Sequence, residues 1–238
     1  MTIEKTKNTL LQKLLQDVPD IATNFERVHL MTGPWPTNLR QQNDWAYFPD
    51  DSLIGLSADT QPRGHGGMVI AGRHGFWLSG PMTGLTLRAR VLHEGHIYRL
   101  NWRMVQDDPH RFAPCLISAA LATQRLIRQM AQMAFCVQHH TPVQRMASCL
   151  LVCLQQSSDA SLSVRQDDVL DMLRVPADVL QEALSVLQTH SGIRCDPGVS
   201  TTKPGPVAVP ARLWTQDPQQ LALLACDCHR HMNAEASV

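Results

Sequence analysis

The sequence predicts an α+β chain: a β-rich first part, one long helix, and a helical last part that contains a two-stranded wing. Three observations predict it. A clean period of two runs from Leu85 to Val91. From Pro114 to about His140 there is no glycine, and apolar residues recur every three or four positions. Three shorter helical patterns follow, and then a Gly- and Pro-rich stretch suited to a hairpin.

The first third places short apolar runs between Gly, Pro, Asp and Asn. Met68-Val69-Ile70-Ala71 reads as a buried strand closed by Gly72 and Gly75. In the next strand Leu85, Leu87, Ala89 and Val91 face one way and Thr86, Arg88 and Arg90 the other. His93-Glu94-Gly95-His96 is a turn, and Ile97 to Trp102 is the following strand. Many short strands with frequent turns predict a compact β-roll or barrel.

Pro114 suits the first turn of a helix. Leu116, Ala119, Thr123, Leu126, Met130, Met133 and Val137 alternate steps of three and four, the mark of a coiled-coil seam. Roughly 27 residues at about 1.5 Å each make a rod about 40 Å long. The competing reading is a helix packed on its own sheet. Arg125 and Arg128 flank the stripe and keep the other face wet.

Beyond Thr141-Pro142, Val143 to Gln156 carries Met146, Ala147, Leu150 and Leu154 on one face. Ser163-Val164-Arg165-Gln166 fits a capping box opening a short helix with Val169, Met172 and Leu173 inward. Ala177 to His190 is a third helix, stopped by Gly192. Ile193 to Val209 is the expected wing, and Pro218 to about His229 a last helix burying Leu221, Leu223 and Leu224.

At 238 residues the chain has room for two modest domains. No apolar run approaches the roughly 20 residues needed to cross a bilayer. Met1 to Lys13 is polar with no apolar core of a secretory signal, so a cytoplasmic protein with no membrane partner is expected. The seven cysteines are odd in number and irregularly spaced, as expected of small buried residues in a reducing compartment. A formal net charge of zero argues against a generic nucleic-acid coat but leaves room for one basic surface.

Three short helices with a tight turn between the second and third, then a hairpin, form the winged helix-turn-helix pattern. With that pattern in view the chain resembles the Crp/Fnr regulators along almost its whole length. Tyr47-Phe48-Pro49 followed by Ser52-Leu53-Ile54 is similar to the family's early strand pair. Ala71-Gly72-Arg73-His74-Gly75-Phe76 is similar to the sensor stretch that often reads GxEGxxG. Cys136, His140 and Gln144-Arg145-Met146-Ala147 match Cys-x3-His-x3-Gln-Arg-x-Ala, a pattern of one branch. Leu170-Asp171-Met172-Leu173 corresponds to LAxxLG, and Ala225-Cys226-Asp227-Cys228-His229 resembles that branch's closing Ala-Cys-Glu-Cys-Tyr.

The resemblance implies a cyclic-nucleotide-binding-like sensor β-roll over 1–112, a dimerisation helix over 113–140 and a winged helix-turn-helix domain over 141–238. It implies a dimeric transcriptional regulator and no enzyme. The partners implied are a palindromic DNA operator, a second copy of the chain, RNA polymerase and a small-molecule effector whose identity the sequence leaves open. The alternative is a sensor or protein-interaction module that keeps the fold and has lost sequence-specific DNA binding.

Reading DNA needs base-edge donors on the third helix and phosphate contacts around it. On this alignment Arg145, Arg165 and Arg174 are the phosphate contacts, and Arg174 stands where the family usually turns on Gly. Where the family commonly has Arg, Ser, Thr or Glu early in the third helix, this chain has Pro176, Ala177, Asp178, Val179 and Glu182, and Gln181 is the helix's long donor. From Thr141 onward seven basic residues face ten acidic ones, an unusual balance for a domain on a polyanion. Cyclic-nucleotide binding in the family needs a Gly-Glu pair and an Arg. Arg88 is the weak candidate for the Arg, but no Glu lies between Gly64 and Gly80, so the sensor is not built for cAMP.

Cys226, Cys228, His229 and His231 are soft ligand types close together. A Cys-x-Cys on a helix, however, points its thiols to different faces. One buried cysteine and a solvated His-rich tail is therefore expected, with no metal and no cofactor. The family's iron-sulfur sensors use N-terminal cysteines, and the first 114 residues hold none. His139-His140 is expected to cap or pack the hinge after the long helix. No GxSxG elbow, P-loop or HExxH is present, and Arg63-Gly64-His65-Gly66-Gly67 reads as a surface hairpin.

Overall fold

The computed structural model describes residues 3, 6–36, 39, 44–58, 68–79, 87–158, 162–196, 212–215 and 217–233. The chain opens on an amphipathic helix, α1 (Thr9–Asp17), followed by a 3-10 turn over Pro19–Asn24. Asn8 caps α1: its carbonyl oxygen accepts from Leu11 N at 2.9 Å, and its amide donates to the Pro49 and Gly75 carbonyls at 2.7 and 2.9 Å. One buried side chain thus ties the first helix to the end of a strand at Pro49 and to a turn at Gly75.

Among the described residues eight strands follow: β1 (Phe25–Leu30), β2 (Gly33–Pro34), β3 (Trp45–Pro49), β4 (Leu53–Ala58), β5 (Val69–Ala71), β6 (Trp77–Ser79), β7 (Leu87–His93) and β8 (Gly95–Asn101). They form two antiparallel four-stranded sheets, ordered β1-β8-β3-β6 and β2-β7-β4-β5. The Tyr47–Pro49 and Ser52–Ile54 runs fall on successive strands, β3 and β4, which belong to different sheets. Likewise the His93–His96 turn carries the chain from one sheet to the other.

The β-roll core lies between the sheets, where Leu30, Tyr47, Trp77 and Ile97 meet Ile54, Leu56 and Val91. The outer face of the first sheet, through Phe48, Phe76 and Leu100, packs on α1, the short α2 (Arg103–Asp107) and the start of α3 (Ala113–His139). The period of two in β7 ends at Val91, after which Leu92 is also buried. Leu92 faces the C-terminal part, joining Leu53, Met68 and Ile70 in its core.

That part comprises α4 (Pro142–Gln156), β9 (Leu162–Arg165), α5 (Gln166–Leu173), α6 (Ala177–Ser191), β10 (Arg194–Asp196), β11 (Arg212–Thr215), α7 (Pro218–Leu224) and α8 (Cys228–Asn233). A reciprocal capping box between Thr141 and Gln144 opens α4. The capping box expected at Ser163–Gln166 is instead strand β9, and Arg165 at the start of α5 makes no side-chain cap. Burial of Leu162 and Val164 at alternate positions decides that segment as a strand. It completes a three-stranded sheet, β10-β11-β9, so the wing's returning strand starts after the predicted Val209. The predicted last helix is two, broken at Ala225–Asp227. Leu221 is buried, but Leu223 is exposed.

Gly72 is where close approach requires glycine: a Cβ there would collide with the Gln156 backbone carbonyl, to which Arg73 N donates at 2.9 Å. The end of α4 is thereby seated on the β5–β6 turn. No described helix is long and apolar enough to cross a membrane. The Arg63–Gly67 hairpin and Leu85–Thr86 lie outside the described residues.

Candidate nucleic-acid interface, ligand cavity and thiol cluster

α5 and α6 form a helix-turn-helix whose turn is set by backbone geometry. Arg174 ends α5 in the left-handed region, at φ 51° and ψ 49°, with its N–H on the Leu170 carbonyl at 2.8 Å. The position aligned with a turn glycine therefore has the conformation glycine favours, held by an arginine. α6 then buries Leu180, Ala183, Leu184 and Leu187 against α4 and turns its first residues outward. Asp178 and Glu182 are exposed and Gln181 is half-buried.

The three arginines around this helix differ. Arg174 is exposed. Arg165 is also exposed and pairs with Asp167 at 3.0 Å. Arg145, on the first turn of α4, is half-buried and donates to the Leu173 carbonyl. Its charge sits at the C-terminal end of α5, where the helix dipole is negative. The structure thus engages Arg145 inside the fold, a packing that its sequence position did not reveal.

The long helix carries two stripes, one turned inward and one outward. Cys115, Ala122, Gln129 and Cys136 are buried. Among the predicted seam residues Ala119, Leu126 and Met133 pack partly against the chain's own β-roll and C-terminal core, as does Met130. Leu116, Thr123 and Val137 face out, together with Ile127, which is 61% exposed. The predicted seam therefore interleaves both stripes. The outward one runs Leu116, Ala120, Thr123, Ile127, Ala134 and Val137.

Gln129 is the buried polar residue of the inward stripe. Its amide accepts from Ile70 N at 2.9 Å and donates to Ile70 O at 3.1 Å, standing in for a neighbouring strand at the edge of β5. Beside it lies a cavity of about 360 Å³, lined by Arg73 and His74 before β6, Arg125 and Gln129 from α3, Gln156 from α4 and Arg230 from α8. Arg125 donates to the His74 carbonyl across it. Arg88, the sequence candidate for ligand binding, is exposed on β7 opposite Ser57 and is not among the lining residues. The cavity draws on four distant segments, and no local motif joins them.

The cysteine tail departs from expectation. Cys226 sits in the break between α7 and α8 and Cys228 on the first turn of α8, so both thiols are buried on one side. His229 is buried too, its Nδ1 2.7 Å from the Cys226 carbonyl. Cys136 and His140, one helical turn apart at the end of α3, meet this tail. The ligand atoms of Cys136, His140, Cys226 and Cys228 all lie within 4.8 Å of one another. Burial pushes the Cys136 thiol well up, and the neighbouring Cys226 adds to it; burial also raises Cys228.

No family model matches the chain, and no curated protein sequence does. Solved structures do. FixK2 from Bradyrhizobium japonicum aligns at a TM-score of 0.54 and 14% identity, over 85% of this chain and 96% of that one. A protein described as a regulator of the crp/fnr family from Eubacterium rectale aligns at 0.54 and 11% identity, over 91% and 94%. A CRP-family transcriptional regulator from Thermus thermophilus aligns at 0.51 and 14% identity, over 89% and 98%. The paired sheets, the long helix and the winged helix-turn-helix of this chain together make the fold of the Crp/Fnr regulators.

Proposed function

We propose that the chain is a dimeric DNA-binding transcriptional regulator of the Crp/Fnr type, with residues 1–112 as sensor, 113–140 as dimerisation helix and 141–238 as DNA-binding domain. The observation that carries this reading is the helix-turn-helix itself: α6 is anchored by its apolar face while its N-terminal turn faces outward next to Arg174. That is the part of a recognition helix that enters a major groove. The outward apolar stripe of α3 supports pairing with a second copy. Two recognition helices would then lie about one DNA turn apart and read a palindrome.

Arg165, Arg174 and Gln181 are the residues we assign to DNA, the arginines to phosphate and the amide to a base edge. RNA polymerase is the further partner this role implies. The cavity between the β5–β6 segment and α3 is the site we assign to a small-molecule effector. Its Arg73, Arg125 and Arg230 suit an anion, and no carboxylate is present among the lining residues to hold a ribose hydroxyl.

Genomic selection with the purified protein tests the reading: one enriched palindromic sequence is expected. The exposed carboxylates of Asp178 and Glu182 favour a second reading, a protein-interaction module that has lost DNA recognition. Selection without any enriched sequence would support it.

A further inference from the structure

We propose that Cys136, His140, Cys226 and Cys228 form a closed binding site for one zinc-type divalent ion, which ties the end of the long helix to the C-terminal segment. This goes beyond DNA reading and effector binding and rests on neither. Three thiolates and an imidazole are a ligand set that structural zinc sites use, in tetrahedral arrangement. With Zn–S near 2.3 Å and Zn–N near 2.0–2.1 Å, a tetrahedron has S···S edges of about 3.8 Å and S···N edges of about 3.6 Å. The Cys136 and Cys226 sulfurs are 3.6 Å apart, and the Cys228 sulfur is 3.5 Å from His140 Nδ1. Two opposite edges of the tetrahedron are thus already at bonding size.

The fold explains how the four converge. Cys136 lies on the last turn of α3 and His140 caps that helix, its N–H donating to the Cys136 carbonyl at 3.1 Å, which holds the two residues together. The break between α7 and α8 lets Cys226 and Cys228 point the same way, which an unbroken helix would forbid. All three cysteines are at least nine-tenths buried. Polar groups also reach the sulfurs: Gln132 Nε2 donates to Cys228 Sγ at 3.0 Å, and the Ser148 hydroxyl lies 3.0 Å from Cys226 Sγ. Donors of this kind stabilise thiolates and orient ligands around a metal. The set is too tight for a multi-iron cluster, whose thiolates stand further apart than those around a single ion.

Binding exchanges three thiol protons for one divalent ion: three S–H bonds break, three metal–sulfur bonds and one metal–nitrogen bond form, and three protons leave to solvent. No electron moves. Because the ligands come from both sides of the α3–α4 hinge, occupancy would fix the DNA-binding part against the long helix.

The test is titration of the reduced, full-length protein with cobalt(II), followed by zinc competition and elemental analysis. The expected result is one ion per chain, with the intense visible bands of tetrahedral cobalt, thiolate-to-cobalt charge transfer, and displacement by zinc. Cys228→Ser and His140→Ala should each weaken binding at least tenfold. Gln132→Ala should weaken it roughly ten- to a hundredfold. Cys115→Ser, away from the cluster, should change nothing. Wild-type protein that folds but shows no tetrahedral bands at a molar excess of cobalt overturns the proposal. So does binding that survives in the folded Cys136→Ser/Cys228→Ser double variant, or an iron-sulfur absorbance in its place.

Discussion

Arg90 on β7 and Asp168 on α5 form an ion pair that joins the β-roll to the first helix of the helix-turn-helix. Asp168 is fully buried, its other carboxylate oxygen has no hydrogen-bond partner among the described residues, and Arg90 is about a quarter exposed. Removing one member of such a pair strands a buried charge, a loss of about 3 kcal/mol. Arg90→Ala should therefore lower the midpoint of chemical denaturation, and Arg90→Met with Asp168→Leu should restore much of it.

The same pair predicts a pH dependence. Burial raises the Asp168 carboxyl above the ordinary carboxylate range, and Arg90 opposes that rise. Between the ordinary and the raised value the folded chain holds a proton that the unfolded chain has lost. Stability therefore falls as pH rises through that window. Without Arg90 the window widens upward. The deficit of Arg90→Ala should be largest near neutrality and shrink on acidification, as denaturation curves at several pH values would reveal. A deficit that is constant with pH would remove Asp168 as its cause.

How far the sequence could be read depended on whether the cause was local. Periodicity located α3 within a residue of each end, and alignment anticipated the unusual turn at Arg174, because each signal lies in a few consecutive positions. It failed where distant segments decide the outcome. Ala119, Leu126 and Met133 carry the same apolar signature as Leu116 and Val137, yet only a sheet elsewhere in the chain separates inward from outward. Ser163–Gln166 reads as a helix start until β11 pairs with it. The thiol cluster is half legible: the tail cysteines stand out as soft ligands, while His140 reads as a hinge residue and Cys136 as part of a family pattern, 90 residues from Cys226.

The two stripes of α3 give a discriminating pair of substitutions. Ile127→Glu with Leu116→Glu acts on the outward stripe and should yield a folded monomer in sedimentation experiments. Leu126→Glu places a charge against the chain's own core and should cost about 1–3 kcal/mol of fold stability. A doubly substituted outward stripe that remains dimeric would place the interface elsewhere.

The effector cavity should be indifferent to cAMP and cGMP. Arg88 stands outside its lining, and the described lining residues include no carboxylate to hold the ribose. Calorimetry at millimolar nucleotide should give no saturable heat, and clear micromolar binding would reassign the cavity.

Arg174 separates stability from DNA binding, because its backbone and its side chain serve different ends. At φ 51° a residue with a Cβ is strained by about 1 kcal/mol, which glycine relieves. Arg174→Gly should therefore raise stability by about that amount, while Arg174→Ala keeps the strain. Both remove the guanidinium. If that group contacts phosphate, each variant should bind specific and random DNA more weakly alike, with a salt slope shallower by about one. Gln181→Ala, in contrast, should weaken only the specific complex, because an amide pairs bidentately with adenine and one such contact discriminates by roughly 1–3 kcal/mol. Glu182→Arg should tighten both complexes by replacing a repulsion with an attraction. Parallel titrations of operator and random duplexes at several salt concentrations measure all four variants. If Arg174→Gly is more stable and binds DNA as well as the unmodified protein, Arg174 is a strained turn residue with no part in the contact. Loss of specific binding in Glu182→Arg would make Glu182 itself a reader, accepting from cytosine.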